Sequence, residues 1–160
     1  MRKSVPIVLL TAMLAVPAGG AMPSREASPD VRLRAVELAA EDPMPGGTFV
    51  VIENRGAKRV SVGCWRVRTR RAELAIRPPA AVPAGGALRL LFDRGEVGNP
   101  DRIRLLTAAG RLADATPVLH DTQGDDRLFG RGADGWTLGR PTLPARTVDG
   151  KLVKPRLAGC

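Results

Sequence analysis

The sequence predicts an all-β sandwich of about seven short antiparallel strands, and three observations lead there. Apolar residues make up 44% of the 160-residue chain, enough to bury a core. Aromatic residues are only 3%, with no Tyr, so that core must be aliphatic. Beyond the N-terminal segment no apolar pattern of helical period persists, which removes the helices that parallel α/β folds need. In their place stand short alternating or β-branched runs, separated by Gly and Pro turns.

Taken in order, Val31-Arg32-Leu33-Arg34 alternates apolar and charged, the period of a half-buried strand. Thr48–Asn54 is β-branched and aromatic and ends in the turn Asn54-Arg55-Gly56. Val60–Val62 runs through Gly63 into Trp65–Arg70, where Trp65, Val67 and Thr69 share one face and Arg66, Arg68 and Arg70 the other. Ala72–Ile76 is closed by Pro78-Pro79. Pro83–Gly86 is a turn into Ala87–Phe92. Arg102–Leu106 and Arg111–Thr116 are joined at the hairpin turn Ala109-Gly110. No repeat of solenoid length is present.

Ahead of this β region, residues 1–21 read as a secretory signal peptide. Arg2 and Lys3 precede an apolar run from Val5 to Ala18, and Gly19 and Ala21 supply the small residues for cleavage after Ala21. Pro6 and Pro17 bracket the run, which argues against a membrane anchor, since a span takes about 20 strongly apolar residues. No Cys follows it to carry a lipid. The expected mature protein is therefore secreted and extracellular, with no stable membrane insertion. Loss of Arg2 and Lys3 lowers the formal charge from +9 to +7. Residues 22–30 read as a linker, 31–145 as the sandwich and 146–160 as a C-terminal tail.

Four motifs in this order resemble the lamin-tail domain, an immunoglobulin-like β-sandwich. They are the strand ending in Asn-x-Gly, Phe49–Gly56; the Gly-Trp strand, here Gly63-Cys64-Trp65-Arg66-Val67; the turn Pro83–Gly86; and Arg131–Trp136 followed by Pro141-Thr142-Leu143-Pro144. The chain departs from the family pattern at Val51, where a Glu is frequent, at the inserted Cys64, and at Leu143 and Ala145 in the closing motif. The resemblance implies a non-catalytic interaction module for proteins or nucleic acid. It also implies that Trp65 packs in the core.

Among chemistry-bearing residues, Trp65 and Trp136 read better as packing than as an exposed ligand platform. Cys64 and Cys160 are the only cysteines. An oxidising destination favours a disulfide between them, the alternative being a buried thiol at Cys64 and an exposed one at Cys160. The single imidazole, His120, opens the one acidic cluster, with Asp121, Asp125 and Asp126. Oxygen ligands there suit Ca²⁺, but the spacing matches no standard calcium loop, so a polar loop is the plainer reading. No nucleophile elbow, phosphate-cradling Gly-Lys loop or His-Glu-x-x-His is present, and neither an enzyme nor a cofactor is expected.

The remaining signal is arginine: 21 Arg against 4 Lys. Arg32 and Arg34, Arg66, Arg68 and Arg70, and Arg102 and Arg104 each alternate with apolar residues, so each set projects from one side of its strand. If the strands adjoin, the sets build a positive face for phosphates or other acidic groups. The competing reading is charge left by GC-rich coding and neutralised locally by the 16 acids. The expected function is thus a secreted binding or structural module. Its partners are an acidic envelope polymer, extracellular nucleic acid or a protein, with no small-molecule substrate. The alternatives are a protein-binding domain using loops such as Gly124–Gly135, with incidental charge, and a calcium-bound or hydrolytic domain around His120.

Overall fold

The chain is all-β in the computed structural model, which describes residues 30–38, 48–123, 127–155 and 160. The expected seven strands are all present. They are β1 (Val31–Val36), β2 (Phe49–Asn54), the pair β3 (Val60–Ser61) and β4 (Arg66–Arg68) read together from sequence, β5 (Glu73–Ile76), β7 (Ala87–Leu91), β8 (Arg104–Leu106) and β9 (Leu112–Ala115). Four more bring the described total to twelve: β6 (Ala81–Val82), β10 (Leu128–Arg131), β11 (Trp136–Gly139) and β12 (Thr147–Val153).

Ten strands form one curled sheet in the order β11-β10-β1-β2-β7-β12-β5-β4-β8-β9, and β3 and β6 form a small separate ribbon. The strands are antiparallel with one exception, which corrects the expectation of a wholly antiparallel fold: β12 runs parallel to β7, pairing Thr147 with Ala87 through to Lys151 with Leu91. Its last residues then pair antiparallel with β5, Leu152 opposite Ile76. The segment read as a tail is therefore a central strand that joins the two halves of the sheet, and the β region does not stop at 145. Gly150 hid this from sequence, because it interrupts the alternation of Val148 and Leu152 with Asp149 and Lys151. A Cβ there would lie 3.0 Å from side-chain carbons of both Leu88 and Leu90. The gap in the pattern is a packing requirement.

Alternation fixes which side of each strand is buried. Val31, Leu33, Val50, Ile52, Leu88 and Leu90 from one half meet Trp65, Val67, Leu74, Ile76 and Leu105 from the other in a single aliphatic core. Full burial of each such side chain contributes about 1.5–3 kcal/mol. β2 is buried along both faces because Ala35, Val51 and Ala87 form a second cluster on its other side, packed by Phe49 and Leu143. The Pro141–Pro144 segment thus helps cover the sheet, which explains why this strand reads as a continuous apolar run.

The register of β1 shifts between Leu33 and Ala35, a bulge at Arg34. At the β8–β9 hairpin the Gly110 amide donates to the Thr107 carbonyl at 2.8 Å, with Gly110 at φ +80°, a conformation that favours glycine. No helix among the described residues is long and apolar enough to cross a membrane. The segment read as a signal peptide, and the linker up to Pro29, lie outside the described residues.

Candidate anion-binding face

Three of the predicted arginines come together on adjacent strands. β4 pairs with β8 so that Val67 faces Leu105 and Arg68 faces Arg104. Val67 and Leu105 are fully buried, so the alternate residues Arg66, Arg68 and Arg104 project from the opposite, solvent side. Arg68 and Arg104 are exposed and stand directly across from one another, a like-charge pairing that disfavours the sheet.

The ladder is continued by Arg70, just beyond β4, and Arg102, just before β8. Both backbones are held by one side chain. The fully buried Asp101 accepts the Arg70 amide at 2.9 Å and the Arg102 amide at 2.7 Å through Oδ1, and the Gly98 amide at 2.7 Å through Oδ2. Three backbone donors satisfy the buried carboxylate, as burial requires. The Arg102 guanidinium also donates from Nε to the Thr116 carbonyl at 3.1 Å.

One acid offsets this face. Glu73, opposite Arg68 on β5, accepts Arg66 Nη1 at 2.9 Å and Arg68 at 2.5 Å. Arg104 forms no ion pair among the described residues, so Glu73 leaves an excess of two positive charges over Arg66, Arg68 and Arg104. Neither Glu73 nor Asp101 stands among the residues expected at the site from sequence. Glu73 was legible as the outward residue of an apolar strand, whereas Asp101 was hidden in a Gly-Asn-Pro-Asp turn.

Arg32 and Arg34 lie elsewhere, on the outward side of β1, and are turned inward chemically. Arg32 Nε donates to Glu53 Oε1 at 2.6 Å, and Arg34 Nε lies 3.7 Å from Glu53 Oε2. Arg34 also donates to the Arg131 carbonyl and, at 3.1 Å, to the Thr142 carbonyl, so its guanidinium is occupied on every nitrogen. It braces β1 against the ends of β10 and the Pro141–Pro144 segment. The seven arginines therefore form two separate groups, and Arg34 is a structural strut.

The other candidates are placed as follows. Cys64 and Cys160 are disulfide-bonded, with Cα atoms 5.2 Å apart, and no free cysteine remains among the described residues. Trp65 is buried in the core. Trp136 is half-buried, packs against the core and carries the Arg131 guanidinium 5.5 Å above its ring. His120 is exposed, whereas Asp121 is buried and locked to the chain. Its amide and carbonyl bond to the Asn99 side chain at 3.0 and 2.6 Å, and its Oδ1 accepts the Gln123 amide at 2.9 Å. Asp125 and Asp126 lie outside the described residues. Among the described residues no group of three or more His, Cys, Asp or Glu could hold a metal ion.

Across β7 and β12, Arg89 grips Asp149 with Nε and Nη2 at 2.9 and 3.2 Å. This hydrogen bond holds the Asp149 carboxyl below its ordinary range and raises Arg89. No protein-family model matches the chain, and comparison with curated proteins finds no match.

Proposed function

We propose that this protein is a secreted, non-catalytic binding module resembling the lamin-tail domain. It engages an acidic polymer, either an envelope polymer or extracellular nucleic acid, through the ladder of Arg66, Arg68, Arg70, Arg102 and Arg104. The observation that carries this reading is Arg68 set directly opposite Arg104, with Glu73 divided between Arg66 and Arg68 and Arg104 left without an acid among the described residues. Like charges in register work against folding, and a ligand that supplies the missing negative charge relieves that repulsion. Guanidinium forks also suit phosphate and carboxylate groups. The face offers no stacking aromatic and no recognition helix, which favours charge-driven over base-specific binding.

The test is binding of residues 22–160 to duplex DNA and to a non-nucleic polyanion such as polyglutamate, across a salt series. Salt-steep binding to both is expected. The triple variant Arg66→Gln, Arg68→Gln, Arg104→Gln should reduce the slope of log K against log salt by roughly 2–3, about one unit per lost phosphate contact. Unchanged affinity and slope in that variant would remove the ladder from the account.

One observation favours a second reading, a protein-binding domain with incidental charge: Arg32, Arg34, Arg66 and Arg68 all reach acids of their own chain. Absence of binding to either polymer would decide for it.

A further inference from the structure

We propose that a second site, separate from the arginine ladder, binds a small organic anion: a phosphate monoester carried on an apolar body. The site is a cleft of about 480 Å³ between β12 and the connection that leaves β5. That volume falls within the roughly 300–1,000 Å³ of small-molecule sites.

Three cations reach it from three different parts of the chain. Arg59 stands just before β3, Arg77 just after β5, and Lys151 within β12. The backbone fixes their approach. The Arg77 amide donates to the Lys151 carbonyl at 2.8 Å, and β3 pairs with β6 through Val60 and Val82. None of the three cations makes an ion pair or side-chain hydrogen bond among the described residues. The one acid in the wall, Asp149, is already taken by the two Arg89 contacts, so it does not neutralise the cleft.

The remaining wall is apolar. Pro78, Pro79 and Leu88 line it, and Val148 is 42% exposed there. Unpaired guanidinium and ammonium groups over an apolar floor select a ligand with both characters. Arg77 and Arg59 offer forks to phosphate oxygens, Lys151 a point charge from the side of β12 opposite Val148, and the prolines and Val148 a surface for a flat or aliphatic body. This small-molecule partner was not expected from sequence.

The experiment is calorimetric titration of residues 22–160 with phenyl phosphate and, separately, with inorganic phosphate. Phenyl phosphate should bind saturably at one site and about 10-fold more tightly than phosphate. Arg77→Gln and Lys151→Gln should each weaken it about 10-fold, the loss of one charged hydrogen bond. Val148→Ser should erase the advantage of the ring while leaving phosphate binding unchanged. Arg68→Gln with Arg104→Gln should change nothing, so this proposal and that for the ladder fail independently. Since the Arg77, Lys151 and Val148 side chains form no hydrogen bond or ion pair among the described residues, thermal melts of those variants should match the parent. Equal affinity for the two probes, parent-like binding by the cleft variants, or equal weakening by the ladder variant would each overturn the site.

Discussion

The Asp114 carboxylate receives both terminal nitrogens of Arg131, at 2.6 and 3.2 Å, and the Leu33 amide at 2.8 Å. One side chain on β9, at the far end of the sheet, thereby ties down β1 and β10 and closes the curl. Both partners are largely buried, with side chains 15% and 22% exposed, so this pair is shielded from the screening that weakens surface bridges. Asp114→Ala should lower the unfolding free energy by about 2–4 kcal/mol in urea, because it removes the acceptor of a guanidinium and of the Leu33 and Ala115 amides. Asp114→Asn keeps an acceptor for Leu33 and should cost less. A loss under about 0.5 kcal/mol for the alanine variant would deny the clasp any role.

Gly150 carries the next expectation. Because β12 pairs with both β7 and β5, crowding at its midpoint is felt by both halves of the sheet. Gly150→Val would force its side chain against Leu88 and Leu90 and should destabilise by about 1–3 kcal/mol. Leu88→Ala placed beside it should return part of that loss, which separate sites would not do.

How far the sequence could be read follows from where its signals were local. The alternation in Val31–Arg34 and Arg66–Arg68 states which residues face the core, and the structure buries Val31, Leu33 and Val67 accordingly. Strands β10 and β11 were obscured by Gly130, Gly132, Gly135 and Gly139, which lower β-propensity, and β12 by Gly150. Pairing was out of reach altogether. That Arg68 meets Arg104 while Arg34 is spent on Glu53 and two carbonyls depends on register between distant segments, and no local pattern encodes it. For the same reason no local pattern connects Arg59, Arg77 and Lys151. They become neighbours only because β12 threads between β7 and β5.

The Arg89–Asp149 pair gives a pH dependence of known sign. Its hydrogen bond lowers the Asp149 pKa below the reference 3.8, so the stabilisation is complete above the unfolded value and fades as pH falls through the folded one. Asp149→Asn should therefore be slightly less stable than the parent at neutral pH and should converge with it at strongly acid pH. The difference should be small, because the Asp149 side chain is 61% exposed. Thermal melts across the acid range would check both points, and a gap that widened toward low pH would contradict the pairing.

Cys64 combines two opposing contributions. Its disulfide joins residues 96 apart in sequence, which by chain entropy stabilises the fold by about 4 kcal/mol. Its backbone has φ +61°, a left-handed conformation that costs a non-glycine residue about 1 kcal/mol or more. Cys160→Ser should thus lose most of the disulfide contribution in denaturant melts. In that background Cys64→Gly should be more stable than Cys64→Ser by about 1 kcal/mol, since glycine takes the left-handed backbone freely. If the two variants melt together, the backbone strain at this position is negligible.

The Arg68–Arg104 pair sets stability against binding, and a single substitution separates the two. Arg104→Glu turns a repulsive cross-strand contact into an attractive one and places an acid beside Arg68, itself already shared with Glu73. Opposite charges in register contribute about 0.2–1 kcal/mol, so this variant should unfold at higher urea than the parent. The same change removes two units of positive charge from the centre of the ladder, and polyanion affinity should fall steeply at low salt. A variant that is both more stable and weaker in binding would show that Arg104 serves the ligand at the expense of the fold. One that is less stable would mean that the Arg104 guanidinium supports the fold through a contact on the β8 side, and the repulsion argument would fail with it.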